Sequence, residues 1–338
     1  MPSKHLIGPY VQRFLLEHVT VDRNLSPNTQ KSYRDCLLLL FKFVGEYHST
    51  DPTRVTVQQV DASLVREYLG HLEDRRRNCV ATRNRRLAAI RSLFRFIARL
   101  EPELVDHAAR VCAIPDRKAP IPVIAYLSKP EVEALLATPD RSTAQGRRDY
   151  SMLLLLYNTG ARASEAVRLT IADLTLAGSP CARFLGKGRK HRMCPLWPST
   201  VEILRQVIGA RLDGPPEAPV FLSQRRSRLT RFGVYELVTR IALQAGRTRP
   251  SLATKRVSPH TLRHTTAVHL LQAGVDINTI RAWLGHVSLE TTSRYAEVDL
   301  ETKAHALQTC YESLDQPLPA SRMNWHKDSD LMAFLTSL

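Results

Sequence analysis

Long apolar runs are missing from this 338-residue chain. The leucine-rich stretches Cys36 to Phe41 and Met152 to Tyr157 are far too short to cross a bilayer, which sets a membrane-spanning protein aside. Lys4 is followed by no sustained apolar segment of the kind a secretory leader carries, so the expected compartment is the cytoplasm. Cysteine is sparse as well. The six residues at 36, 79, 112, 181, 194 and 310 form no Cys-x-x-Cys pair and no zinc-like spacing, which fits reduced thiols serving mostly as core fillers. There is no internal repeat and no extended low-complexity segment.

Negative charge is the third scarcity. Lys and Arg total 48 against 32 Asp and Glu, a formal charge of +16 at pH 7. An excess of this size points to a polyanionic partner, nucleic acid before an acidic membrane surface. The bias peaks between Arg75 and Arg99, where nine arginines occur without one acidic residue. A solvated helix face normally interleaves both signs, so a single-sign stripe repels itself until a polyanion binds. Arg83, Arg85, Arg86, Arg91, Arg95 and Arg99 are therefore candidate DNA contacts.

The length suits two ordinary domains. Ser26 and Pro27 open a helix over 26–44 with Tyr33, Leu37, Leu40, Phe41 and Val44 on one face. A second helix passes through Leu64, Tyr68 and Leu72. A third covers 81–100, burying Leu87, Ile90, Phe94 and Ile97. These make a helical bundle over 1–113. Pro115, Pro120 and Pro122 break the pattern and place a linker at 114–125. A new helix begins at Ser128, where Glu131 completes a capping box around Pro130. An apolar helix over 147–158 stops at Gly160, and Arg162 opens a short one. Residues 182–185 and 191–196 flank a Gly186 to Lys190 turn, as in a hairpin. Further helices are expected near 230–245, 259–273, 277–284 and 289–297, with stops at Gly274 and Gly285. The expected fold class is mainly α: an N-terminal helical bundle plus a mixed α+β domain over 126–315 with a small antiparallel sheet. Beyond Pro317 and Pro319, a tail over 316–338 carries Leu331, Met332, Phe334, Leu335 and Leu338 at helical spacing, a face too short to persist undocked.

The second domain concentrates groups suited to one phosphate. Attack on a phosphodiester gathers negative charge on the non-bridging oxygens, and rigid donors must be in place beforehand. Arg162 and Arg263 each offer a planar, permanently charged fork; a plain ion pair between Arg162 and Glu165 is the competing reading of the first. His260, three residues from Arg263, projects from the same helix face. His264 lies there too, but Thr261 stands where a zinc hydrolase would carry its glutamate, so no metal site is expected. His286, just past Gly285, can donate to a phosphate oxygen. Lys187, in the glycine-flanked turn, carries a proton for a departing oxygen; Arg189 or Lys190 could take that part or bind backbone only. Tyr295 is the candidate nucleophile, and an unaided phenol is a poor one, so neighbouring cations and a base are required.

Thr159-Gly160-Ala161-Arg162-Ala163-Ser164-Glu165, Gly186-Lys187-Gly188-Arg189-Lys190, Ser258-Pro259-His260-Thr261-Leu262-Arg263-His264, Leu284-Gly285-His286 and Thr291-Thr292-Ser293-Arg294-Tyr295 occur in this order. The series resembles the tyrosine recombinases, the phage integrase family with its Xer-like site-specific recombinases. The resemblance implies cleavage and rejoining of duplex DNA through a 3′-phosphotyrosyl bond to Tyr295, with His260 as proton acceptor and Glu165 supporting Arg162. It implies no cofactor, neither ATP nor a divalent ion, and no small-molecule substrate. It also implies an N-terminal domain that grips one side of the duplex, and a tetramer on DNA held by C-terminal helices docked on neighbouring protomers; docking within one protomer remains the alternative. Basic charge and the extra tail favour a mobile-element role in integration, excision or transposition. Topoisomerase-like relaxation and dimer resolution are the alternatives.

Overall fold

The computed structural model describes residues 5–119, 124–186 and 190–285. The expected helix at 289–297, the tail at 316–338, and Lys187, Arg189, His286 and Tyr295 all lie outside them. The chain divides into two compact units between residues 122 and 123.

The first unit is helical throughout. Helix α1 (Ile7–Arg13) runs into a wider π-helical stretch, Phe14–Asp22. Helix α2 (Pro27–His48) starts where the Ser26 side chain accepts the Thr29 backbone N–H, with Pro27 preset for the first turn, and stops at a left-handed Ser49. Helices α3 (Ala62–Asp74), α4 (Val80–Leu100) and α5 (Val105–Cys112) complete the bundle. The stripe expected on α4 is fully interior: Leu87, Ile90, Phe94 and Ile97 are each 0% exposed. They join Leu40, Val44, Tyr68, Leu72 and Val111 in one core.

The second unit is mixed. Helix α6 (Lys129–Ala137) begins at the expected capping box, the Ser128 N–H donating to the Glu131 carboxylate at 2.8 Å. Helix α7 (Ala144–Thr159) is the spine; Met152 through Leu156 are all buried, so the helix has protein on every side along this stretch. The short α8 (Ala163–Ala166) follows. Three short antiparallel strands come next: β1 (Leu174–Thr175), β2 (Cys181–Leu185) and β3 (His191–Pro195). They lie in the order β1-β2-β3 with Phe184 opposite Arg192. Then come α9 (Pro198–Ile208), α10 (Arg231–Ala245), α11 (Pro250–Ala253), α12 (Pro259–Gln272) and α13 (Ile277–Leu284). The expected hairpin is there with one strand more. A mainly helical chain with one small antiparallel sheet is the architecture expected. Among the described residues, no helix is long and apolar enough to cross a membrane.

Candidate active site

Three chain reversals assemble the site. Helix α7 ends at Gly160 in the left-handed region, φ 59°, and a Cβ there would come within 2.4 Å of the Leu284 side chain. Only glycine satisfies both the dihedral and that contact. The turn delivers Arg162 to the N-cap of α8. Glu165, one helical turn on, accepts the Arg162 backbone N–H at 2.9 Å and the Arg162 Nη1 at 2.7 Å. The Glu165 side chain is 4% exposed and that of Arg162 35%, so the carboxylate is the buried anchor and the guanidinium reaches outward from it.

Helix α12 is opened by Ser258, whose side chain accepts the Thr261 N–H, and by Pro259 in the first turn. Arg263 on this helix is only 1% exposed. Its Nη1 donates to the Gly160 carbonyl at 2.6 Å and its Nη2 to the Leu284 carbonyl at 2.5 Å. Both acceptors stand at helix ends, where carbonyls lack intrahelical partners. These two bonds fix the fork and bring no counter-charge with them.

Arg162, His260 and Arg263 line one open cleft of about 560 Å³, with Arg231, Phe232 and Tyr235 of α10 along another wall. The His260 pKa is lowered from its usual 6.5, by desolvation first and then by the Arg263 and Arg162 charges. A depressed value keeps the imidazole neutral near pH 7, the form that can accept a proton. His264, half-buried, sets its ring edge-on to His260 with centroids 4.2 Å apart.

The hairpin turn closes with the Gly186 N–H on the Lys190 carbonyl at 2.8 Å. A Cβ on Gly186 would lie 3.7 Å from Glu165 Oε1, so the base of the turn abuts the residue that anchors Arg162. Lys190 is exposed. At the far side α13 stops on Gly285, φ 64°, immediately before His286.

The arginine stripe of α4 separates into two sets. Arg83 is buried and donates to the Asn84 side chain at 3.0 Å and the Pro115 carbonyl at 3.1 Å. Arg91 is held by Asp116 at 3.1 Å and also by the Ile114 carbonyl. Both tie α4 to the segment after α5. Arg86 is half-buried, whereas Arg85, Arg95 and Arg99 are exposed. Arg95 and Arg99 share a surface cleft with Arg23 and His18. Among the described residues, the cluster of acidic and histidine side chains close enough to hold a metal is His5, Glu101 and Glu103, in the first unit.

Arg231 and Phe232 in the cleft were not expected, nor was Arg192, whose Nη2 donates to Glu165 Oε2 at 2.8 Å. Arg192 had a readable signal: it stands two residues from Cys194 on β3, so a period of two puts both on the inward face. Nothing in the pattern of α10 distinguishes Arg231 and Phe232 from an ordinary exposed turn.

Residues 125–302 match the phage integrase family and residues 11–101 match the phage integrase N-terminal SAM-like domain. The integrase/recombinase homologue y4rC of Sinorhizobium fredii is 40% identical over 99% of this chain and 100% of its own length. The tyrosine recombinase XerC of Pelobacter propionicus is 34% identical over 89% of this chain and 95% of its own. The XerH site-specific recombinase in a pre-cleavage complex with its difH substrate superposes with a TM-score of 0.64 at 25% identity, covering 87% of this chain and 83% of that one. The chain belongs to the phage integrase family. It is a tyrosine recombinase, an enzyme that cuts and rejoins DNA through a tyrosine.

Proposed function

We propose that this protein exchanges strands between duplex recombination sites of a mobile element, with Tyr295 as nucleophile. The observation that carries the residue assignment is the convergence of Arg162, Arg263 and a pKa-depressed His260 on one cleft. Two permanent positive charges lining one cleft suit the negative charge of a single phosphate, and a neutral imidazole beside them suits removal of a phenol proton. The Tyr295 oxygen attacks phosphorus while the bond to the 5′ oxygen breaks. His260 takes the phenol proton, Lys187 protonates the departing 5′ oxygen, and His286 donates to a phosphate oxygen. The phosphotyrosyl bond keeps the energy of the broken ester, so a 5′-hydroxyl of the partner strand can attack it without ATP.

In this reading residues 1–113 form the DNA-gripping domain, 114–125 the linker and 126–315 the catalytic domain. Exposed Arg85, Arg95 and Arg99 contact phosphates, with Arg189 and Lys190 doing so from the hairpin turn. Arg83 and Arg91 hold α4 in place, and Arg86 lies between the two sets. Four protomers assemble on two sites, linked by the tail at 316–338, on the nucleoid in the cytoplasm. The mobile-element role is supported by end-to-end similarity to a protein named as an integrase. Similarity to a protein named tyrosine recombinase XerC supports the strand-exchange chemistry.

The test uses a nicked duplex carrying the sequence this protein selects from a random pool. Wild type is expected to leave a covalent protein–DNA band on a denaturing gel, with or without EDTA, and Tyr295→Phe to bind equally and leave none. A persistent adduct in Tyr295→Phe, or cleavage that requires magnesium or zinc, overturns the mechanism. Two-site substrates then separate the roles: exchanged ends establish recombination, and resealing of one strand alone identifies relaxation.

A further inference from the structure

We infer that Arg192 is a positioning residue for the reaction, one that shares the charge of Glu165 so that Arg162 keeps its own for the phosphate. The inference rests on the reading of the Arg162 cleft as a phosphate site.

Arg192 faces inward from β3 and is 9% exposed. Its Nη2 donates to Glu165 Oε2 at 2.8 Å. The same carboxylate receives the Arg162 backbone N–H and the Arg162 Nη1. Two guanidinium groups thus stand on one carboxylate, and the cluster carries a net positive charge. With Glu165 alone, Arg162 would sit in a neutral pair whose attraction for an incoming anion largely cancels. Such cancellation costs most where water is scarce, as it is around a carboxylate 4% exposed.

Two further contacts hold Arg192 rigid. Its guanidinium carbon lies 4.6 Å from the centre of the Phe184 ring, its partner across the β2–β3 ladder. A Cβ placed on Gly285 would meet Arg192 Cδ at 3.0 Å and Nε at 3.2 Å. The side chain therefore fills the space beneath the residue that precedes His286. Arg192 Nε is buried and has no hydrogen-bond partner among the described residues. Arg192 thus touches both the Arg162 anchor and the stop of α13.

The experiment compares single-turnover cleavage of the nicked selected duplex, at matched DNA occupancy, for wild type, Arg162→Ala, Arg192→Gln, Arg192→Lys and the double variant Arg192→Gln/Glu165→Gln. Arg192→Gln is expected to cleave about 10² times more slowly, the lower end of what losing one preorganised donor costs, with DNA affinity nearly unchanged. The double variant removes the uncompensated carboxylate and is expected to recover at least about tenfold over Arg192→Gln. Arg192→Lys keeps the charge and is expected to stay within about tenfold of wild type. No recovery in the double variant, or Arg192→Lys as slow as Arg192→Gln, would make Arg192 a packing residue and overturn the proposal. Should Arg192→Gln fail to fold, Arg192→Lys decides: a loss as deep as that of Arg162→Ala refutes charge sharing. If Arg162→Ala cleaves like wild type, the phosphate site itself is misassigned; if it is inactive while Arg192→Gln is normal, only the role of Arg192 falls.

Discussion

In the second unit, Arg263 is 1% exposed with both terminal nitrogens on the Gly160 and Leu284 carbonyls. In the first unit, Arg95 and Arg99 lie on the solvent-facing side of α4, with Arg99 within 3.3 Å of the His18 ring. The same side chain is held rigid in one region and left adjustable in the other. A transition state lasts too briefly for donors to reorganise, so the charges that stabilise it must be held before the reaction. A duplex backbone offers a periodic row of phosphates, and attraction to it tolerates local adjustment. The contrast predicts that loss of a held arginine damages rate, and loss of an exposed one damages affinity.

The largest effect tests the held side. Arg263→Ala or Arg162→Ala is expected to slow single-turnover cleavage by about 10² to 10³ at saturating protein. Comparable rates at saturation, with binding alone weakened, would erase the distinction between the two regions. A smaller effect tests the exposed side. Arg95→Gln and Arg99→Gln should each flatten the log–log dependence of DNA affinity on salt by about 0.9 for every phosphate that the variant no longer neutralises. Arg91→Gln, already engaged with Asp116 and Ile114, should leave that slope alone and lower the melting temperature instead. A slope change as large for Arg91 as for Arg95 would mean that it leaves its partners for DNA.

The smallest effect sharpens the electrostatics of the held set. His260 is expected to titrate below 6.5 in the DNA-free protein, followed by the NMR shifts of its ring protons. Arg162→Gln removes one cation that disfavours the imidazolium, so the titration should move up toward 6.5. Desolvation is the larger cause and remains, so the return is incomplete. A downward move would show that Arg162 does not act on His260 through its charge.

Much of this architecture is readable from local pattern. The α4 stripe, the capping box at Ser128 and the glycine stops at 160 and 285 are each set within a few residues, and each is observed. The order of motifs placed Arg162, His260 and Arg263 together because chemistry rather than proximity in sequence links them. Arg83 and Arg91 show where pattern fails. An arginine on a helix reads the same whether it faces solvent or a carbonyl from a loop more than twenty residues away, such as that of Pro115 or Ile114. Helix α9 was not expected for a related reason. It begins directly after Pro195-Leu196-Trp197, and its stripe of Val201, Leu204 and Ile208 is too short to stand out beside the strand before it.

The two bonds of Arg263 span 103 and 21 residues of sequence. A growing chain on the ribosome contains the motif around Arg162 long before it contains either Arg263 or the end of α13. Until residue 284 has emerged and packed, the Arg263 guanidinium lacks one of these two acceptors. Of the two, the 103-residue closure carries the larger entropy cost, which burial elsewhere in the unit must offset. Incomplete chains, truncated products and partly unfolded molecules thus lack this arrangement of Arg263. DNA breakage is therefore expected only from molecules whose second unit has finished folding.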